Sequence, residues 1–389
     1  MSSKTRIIWI VLDGAGVGAL PDAGQYGDSG SNTLRHVLEA IPDLDIPNLV
    51  KLGLGKLPTL KRLLPDAGVQ GGYGIMAEVS PGKDSTTGHW ELAGIIIDKA
   101  FPLYPAGFPP EIVREFEQRI GRKVLGNKHA SGTEIIEELG PRHLETGSPI
   151  LYTSGDSVFQ LAAHKDVIPL EELYRISAAA REMLQGEHGV SRVIARPFVG
   201  RPGSFARVGE ERLDLSLPPP RPTVLDLAAE AGLRVRGVGK VGDIYAGGGF
   251  ESSPHTSGNR ESMERILEEM RNREPGIIMA NLVDFDMLWG HRRNVEGFAR
   301  GLKEFDVFLP RLERAMESND ICLIVSDHGC DPTFSGSDHT REYAMLLVFG
   351  STIGKDVDLG IRASFADCGR SIADLLGLDA SILDGTPFL

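Results

Sequence analysis

The chain has 389 residues, 41% of them apolar and 24% charged, with a formal net charge of −13. This length suits two domains, or one domain carrying a large insertion, and no run approaches the roughly eighteen apolar residues of a membrane span. The acidic balance points away from nucleic acid; it leaves room for a phosphorylated small molecule held by a local cluster of Arg and Lys.

The cysteines, Cys322, Cys330 and Cys368, are odd in number and lack metal-finger spacing. They read as thiols of a reduced, cytoplasmic protein without disulfides. The first apolar run is too short for a secretory signal.

Arg6–Leu12 (RIIWIVL) has the apolar, β-branched character of a buried parallel strand and runs into Asp13 and a Gly-rich turn. Asp13 reads as a ligand or as a helix N-cap. Helical pieces are expected at Thr33–Ala40 and Pro47–Leu54. The segment Gly82-Lys83-Asp84-Ser85-Thr86-Thr87-Gly88 sets three hydroxyls between glycines, a plausible nucleophile loop once a base or metal lowers a hydroxyl pKa. From spacing alone, Ser85 and Thr86 could equally be helix caps.

Proline clusters at 102–110 and 218–222 read as extended linkers. They predict an α+β domain at 102–217 inserted into a core of 1–101 and 218–389. Helices are expected in the insert at Glu111–Ile120, Ile135–Leu139 and Leu170–Leu184, and short strands at Pro149–Tyr152 and Arg192–Ala195. Ser154, Asp156 and Ser157 follow a strand, and His164 reads as helical. Arg192, Arg196, Arg201 and Arg207 fall on a Gly/Pro-rich stretch that suits phosphate recognition or solvated surface.

After the insert, a helix at Thr223–Gly232 and a strand at Leu233–Val238 lead to Lys240, and a helix is expected at Met263–Arg271. Gly276–Val283 reads as a strand running into Asp284-Phe285-Asp286, with His291 five residues on. Phe298, Leu302, Phe305 and Leu309 have helical spacing within Asn294–Glu317. Ile321–Val325 ends in Asp327-His328-Gly329, and a second pair, Asp338-His339, follows. Tyr343–Phe349 reads as a strand and Ser364–Leu376 as helical.

Three buried-type strands each run into an aspartate. In a parallel sheet their C-terminal ends share one edge, so Asp13, Asp286 and Asp327 can converge, with His291, His328 and His339 on the same loops. Three carboxylates and three imidazoles suit two divalent ions about 4 Å apart around a phosphoryl group. A hydroxyl there, Ser85 foremost, could attack phosphorus.

These residues carry a resemblance. Asp13…Gly16-Val17-Gly18, Gly82-Lys83-Asp84-Ser85…Gly88-His89-Trp90-Glu91, Tyr152-Thr153-Ser154…Asp156-Ser157, Arg192–Phe198, Asn281–Asp286…Gly290-His291-Arg292-Arg293 and Asp327-His328-Gly329…Asp338-His339-Thr340-Arg341-Glu342 span nearly the whole chain. In them it resembles the phosphopentomutases of prokaryotic type, in the alkaline phosphatase superfamily. The resemblance implies an α/β core with a mostly parallel central sheet flanked by helices, and an α+β cap inserted after the nucleophile loop. It implies two manganese ions, one held by Asp13, Asp327, His328 and the Ser85 hydroxyl, the other by Asp286, His291 and His339. It implies interconversion of (deoxy)ribose 1-phosphate and 5-phosphate through a phosphorylated hydroxyl residue, primed by a sugar bisphosphate of the glucose 1,6-bisphosphate type. Arg192, Arg207 and Lys240 are then expected at the distal phosphate, and Ser154, Asp156 and His164 near the sugar. Asp338 becomes a supporting carboxylate. No obligate protein partner is expected. A metal-dependent phosphatase or phosphoglycerate-type mutase shares the metal ligands and differs in the cap.

One departure from the family's pattern bears on the chemistry: the residue after Lys-Asp, usually Thr, is Ser85. Serine lacks the methyl that restrains a threonine rotamer, so some phosphoryl leakage to water is expected. Exchanging Ser85→Thr is expected to raise the ratio of mutase to phosphatase turnover; an unchanged ratio removes the idea.

Overall fold

A computed structural model describes residues 5–61 and 68–389. The chain divides into two compact units, one of residues 1–100 and 219–389, the other of 101–218.

The first segment contributes β1 (Arg6–Leu12), α1 (Thr33–Ala40), α2 (Pro47–Lys51), β2 (Gly72–Met76) and α3 (Ser85–Leu92). The second unit holds α4 (Pro110–Ile120), β3 (Leu125–His129), α5 (Gly132–Thr146), β4 (Ile150–Thr153), β5 (Val158–His164), α6 (Leu170–Met183), β6 (Arg192–Val199), β7 (Ala206–Arg207) and β8 (Leu213–Ser216). The chain then returns through α7 (Val224–Glu230), β9 (Arg234–Val238), α8 (Val241–Ile244), α9 (Asn259–Met270), β10 (Gly276–Leu282), α10 (Val295–Ala315), β11 (Asp320–Val325), β12 (Ala344–Gly350), β13 (Val357–Arg362) and α11 (Ala366–Leu375).

Among the described residues the first unit has a seven-stranded sheet in the order β13-β2-β12-β11-β1-β10-β9. Only β12 runs against the rest, pairing antiparallel with both β11 and β2. Every residue of β1, β10 and β11 is buried, which is why these strands read as largely apolar runs and not as alternating ones. The predicted stripe on α10 is buried: Phe298, Leu302, Phe305 and Leu309 join Ile8, Ile10 and Leu12 of β1 in one core.

In the second unit, α4 and α6 bury Phe116, Leu173, Ile176 and Ala180 with Phe159, Leu161 and Val193 of the sheet. Helix α5 covers the opposite face with Ile135 and Ile136 against Ile150, Tyr152 and Phe198. It is longer than its short apolar motif suggested, because Ser131 caps its start and it continues through Pro141.

His164 corrects a sequence expectation. It ends β5, a strand buried at all seven positions, and does not lie on a helix. Such a strand shows no alternation, so VFQLAAH is equally compatible with a helix on pattern alone. Beneath it, the fully buried His143 accepts a hydrogen bond at Nε2 from the His164 backbone N–H (2.8 Å), and its Nδ1–H donates to Ser148 O (2.7 Å). This imidazole must therefore be neutral, and burial lowers its pKa from the ordinary 6.5. The unfolded chain takes up the proton first as pH falls, so the contribution to stability is full above pH 6.5 and shrinks below it. The expected result is that acidification below this value lowers the melting temperature of the wild type more steeply than that of His143→Gln.

Candidate active site

Strands β11, β1 and β10 are adjacent and parallel, with Val11 opposite Val325 and Leu12 opposite Leu282. Their C-terminal ends share one edge, where Asp13, Asp286 and Asp327 emerge.

At the first cluster, His328 Nε2 lies 3.2 Å from Asp13 Oδ1, 3.3 Å from Asp327 Oδ2 and 3.0 Å from Ser85 Oγ. His328 Nδ1–H donates to Gly329 O (3.0 Å), which leaves Nε2 facing the carboxylates. Asp327 Oδ1 accepts from Gly14 N (3.0 Å), and Asp13 Oδ2 accepts from Asn281 Nδ2 (2.8 Å). Burial raises the Asp13 pKa, and the charge of Asp327 adds to that. For His328, burial works downward, but Asp327 and Asp13 overcome it and hold the pKa well above the ordinary value.

The second cluster is built on a single π-type turn, Phe285–Gly290, in which His291 N donates to Asp286 O (3.0 Å). The widened turn brings residues five apart face to face, a recurrent feature of functional sites. Asp286 Oδ2 lies 3.2 Å from His291 Nε2, and Asp286 Oδ1 lies 3.4 Å from His339 Nε2. His291 Nδ1–H donates to Ser337 O (2.6 Å), again turning Nε2 inward. The His328 and His339 ring centroids are 4.3 Å apart, so the two clusters adjoin.

Both clusters fit divalent metal. Asp13, Asp327 and His328 form one group of ligand atoms mutually within 4.8 Å, and Asp286, His328 and His339 another. Among the described residues, one oxygen of each aspartate (Asp13 Oδ1, Asp286 Oδ1 and Asp327 Oδ2) is buried with an imidazole nitrogen beside it but no well-formed hydrogen bond. Buried carboxylate oxygens are costly in that condition, and a cation is what relieves them.

Ser85 opens α3, whose N-cap Asp84 accepts from Thr86 N and Thr87 N (both 3.1 Å). Thr87 Oγ1 donates to Asp84 Oδ2, and of the three hydroxyls Ser85 is the one facing His328. The helix seats closely because residue 88 is glycine: a Cβ there would lie 2.0 Å from Asp327 O. Asp338 accepts from His339 N (2.9 Å) and pairs with Lys83 Nζ (3.4 Å), a supporting position. Lys240 follows β9 at the same strand ends as Asp286, and its charge acts on Asp284.

Within the second unit, Asp156 lies on the turn after Ser154 and pairs with Arg192 (3.5 Å), which also meets Asp214 (3.8 Å). Arg207 is exposed on β7, and a Cβ on Gly132 would lie 3.3 Å from its Nη1. His164 is buried in its own unit: Nε2–H donates to Gly200 O (3.1 Å) and Nδ1 accepts from Asp166 N (3.2 Å). Its ring packs on Phe198 and Phe205. It has no ring nitrogen left for a sugar, which separates it from Asp156 and Arg192.

Sequence reasoning missed several residues that hold the site. His89 is fully buried; its Nδ1 lies 2.9 Å from Ser85 O and 3.0 Å from Asp327 Oδ2, tying the helix to the ligand loop. Its i+4 spacing from Ser85 on a helix was a usable signal. Asn281 is a polar residue inside an apolar run, another such signal. Glu342 accepts from Gly18 N, Thr33 N and Thr340 Oγ1, and nothing local in the sequence announces that.

A sequence model of the metalloenzyme superfamily matches residues 235–380. The phosphopentomutase of Caldanaerobacter subterraneus subsp. tengcongensis is 54% identical over 384 residues, covering 99% of this chain and 97% of that protein. The phosphopentomutase of Desulfitobacterium hafniense is 52% identical, covering 99% and 98%. Among solved structures, the PH0037 protein from Pyrococcus horikoshii superposes with a TM-score of 0.50 at 15% identity, covering 97% and 98%. The fold is of the alkaline-phosphatase-like kind, a mixed α/β core with a mostly parallel sheet. With near-full-length relatives at this identity and a carboxylate–imidazole site built for cations, the chain belongs to the phosphopentomutase family and is a divalent-metal-dependent intramolecular phosphotransferase.

Proposed function

We propose that the chain interconverts ribose 1-phosphate and ribose 5-phosphate, and the deoxyribose pair, through a phosphorylated Ser85. The observation that carries this reading is the 3.0 Å approach of Ser85 Oγ to His328 Nε2, beside the buried Asp13 and Asp327 carboxylates. Asp13, Asp327, His328 and Ser85 would hold one divalent ion, and Asp286, His291 and His339 the other, manganese in both cases. When bound, such ions lower the pKa of a hydroxyl and neutralise charge on transferring phosphoryl oxygens.

The chain's own part is positional. The α3 N-terminus, capped by Asp84, presents Ser85 and adds the positive end of a helix dipole where phosphate charge gathers. A sugar bisphosphate, such as glucose 1,6-bisphosphate, primes the enzyme by giving Ser85 its phosphoryl group. The C1 hydroxyl of ribose 5-phosphate then attacks that phosphorus. The Ser85 Oγ–P bond breaks, the O1–P bond forms, and ribose 1,5-bisphosphate results. After reorientation Ser85 Oγ attacks the 5-phosphate, the O5–P bond breaks, and O5 takes the proton released by C1–OH.

Arg192, Arg207 and Lys240 are assigned to the distal phosphate, with Ser154 and Asp156 toward the sugar. The Arg192–Asp156 pair supports a polar, partly desolvated surface suited to a sugar phosphate. The second unit is read as the cap that retains the bisphosphate and keeps water from phosphoserine. Incubation with Mn²⁺, glucose 1,6-bisphosphate and ribose 5-phosphate is expected to yield ribose 1-phosphate. Release of free phosphate alone would replace the mutase reading with a phosphatase.

A further inference from the structure

Cys330 lies within the second ligand cluster and has no part in the chemistry above. Its backbone N–H is shared between Gly14 O (2.8 Å) and Thr33 Oγ1 (3.1 Å), which fixes the direction of its side chain. The residue is 1% exposed, and its Sγ lies 3.8 Å from His291 Nδ1, the ring nitrogen whose proton goes to Ser337 O. Two glycines make the space it occupies: a Cβ on Gly290 would lie 2.4 Å from the sulfur, and one on Gly14 would lie 2.8 Å from Cys330 Cβ. An oxygen of Asp286, a ring nitrogen of His291 and the Cys330 sulfur lie within 4.8 Å of one another. Asp286 is 8% exposed, and among the described residues its Oδ1 has His339 Nε2 beside it, at 3.4 Å, but no well-formed hydrogen bond. The pocket thus offers a hard oxygen, an intermediate nitrogen and a soft sulfur to one small volume.

Ligand softness decides which ion uses that sulfur. Carboxylate suits manganese and magnesium, whereas thiolate selects zinc and other thiophilic ions. We propose that Cys330 is an additional donor of the Asp286–His291 pocket for thiophilic divalent ions, zinc or cadmium, and stays idle when a hard ion is bound. On entry of such an ion the S–H bond breaks, the proton leaves to solvent and a metal–sulfur bond forms, with no change of oxidation state. The enzyme is then retentive for soft ions at the position where it works with hard ones. The proposal rests on the reading of Asp286 and His291 as ion ligands.

The test is a cadmium titration of the full-length protein, followed by thiolate-to-metal charge-transfer absorption, with Mn²⁺ and Cd²⁺ affinities measured by equilibrium dialysis. The expected result is a saturable band in the wild type that is absent in Cys330→Ser. That variant should also bind cadmium at least about tenfold more weakly while its Mn²⁺ affinity moves by less than about twofold. Cys322 and Cys368, both fully buried, remain in every variant as internal controls. No band in the wild type, or an undiminished band and cadmium affinity in Cys330→Ser, overturns the proposal. Asp286→Asn separates the two readings: if it leaves Mn²⁺ affinity unchanged the pocket itself is misassigned, whereas weakened Mn²⁺ binding with no effect of Cys330→Ser removes only the sulfur.

Discussion

Ser85→Ala is expected to lower mutase turnover by on the order of 10⁴-fold or more, because it removes the atom that carries the phosphoryl group between the two half-reactions. The substitution is structurally mild. Asp84 supplies the cap of α3, and the Ser85 hydroxyl has His328 as its hydrogen-bond partner. Helix and ligand loop stay tied through His89, which reaches the residue-85 carbonyl and not the side chain. The variant should therefore fold and keep the carboxylate–imidazole clusters. A direct measurement is transfer of labelled phosphoryl from glucose 1,6-bisphosphate to the protein, complete in the wild type and absent in Ser85→Ala. Labelling that survives the substitution would move the nucleophile to Thr86, the next hydroxyl on the same turn.

The second large effect is expected at Arg341. Its side chain is 2% exposed, and its guanidinium is engaged on every side. Nη1 donates to Glu78 Oε2 (2.7 Å), Ser80 O (2.7 Å) and Gly82 O (2.6 Å), while Nη2 donates to Asp22 Oδ2 (3.0 Å) and Glu78 O (2.9 Å). One cation thus pins the segment leading from β2 to Ser85 onto the loop that carries His339. Burial pushes the Glu78 carboxyl pKa well up, and Arg341 is the charge that opposes this. Arg341→Met leaves Glu78 buried without its counter-charge, a change expected to cost about 3–5 kcal/mol. Urea unfolding measures the loss, and turnover should fall with it because residues 80–82 lose their anchor. Adding Glu78→Gln should restore part of the stability, since the orphan charge is gone. A double variant no more stable than Arg341→Met would show that the cost lies elsewhere.

The strands carrying the ligands were legible because burial on both faces leaves apolar runs, each ending at an aspartate where the sheet ends. Their convergence followed from parallel topology, which one antiparallel strand, β12, does not disturb. Strands β2 and β13 were not legible. The former is GYGIM, and its glycines serve close strand contact: a Cβ on Gly74 would lie 2.6 Å from Gly360 O. Propensity reads such glycines as loop. His164 was misplaced because a fully buried strand and a buried helix look alike over seven residues. The supporting residues were least legible. Arg341 and Glu342 work mainly through partners more than two hundred residues away, and no local pattern encodes such pairs.

The loop between the two ligand pairs closes on itself. Gly329 N donates to Thr340 O (3.0 Å), and Thr340 N donates to Gly329 O (2.7 Å), directly after His328 and directly after His339. Strand β12 runs back along β11, so both stems of the loop rise from one rim of the sheet. The separation of the two ligand pairs is therefore set by this neck and not by the number of residues between them. The far end of the loop has a different duty, since Ser337 O fixes the His291 ring, while a single substitution that opens the Gly329–Thr340 bridge would let the two halves of the site move apart.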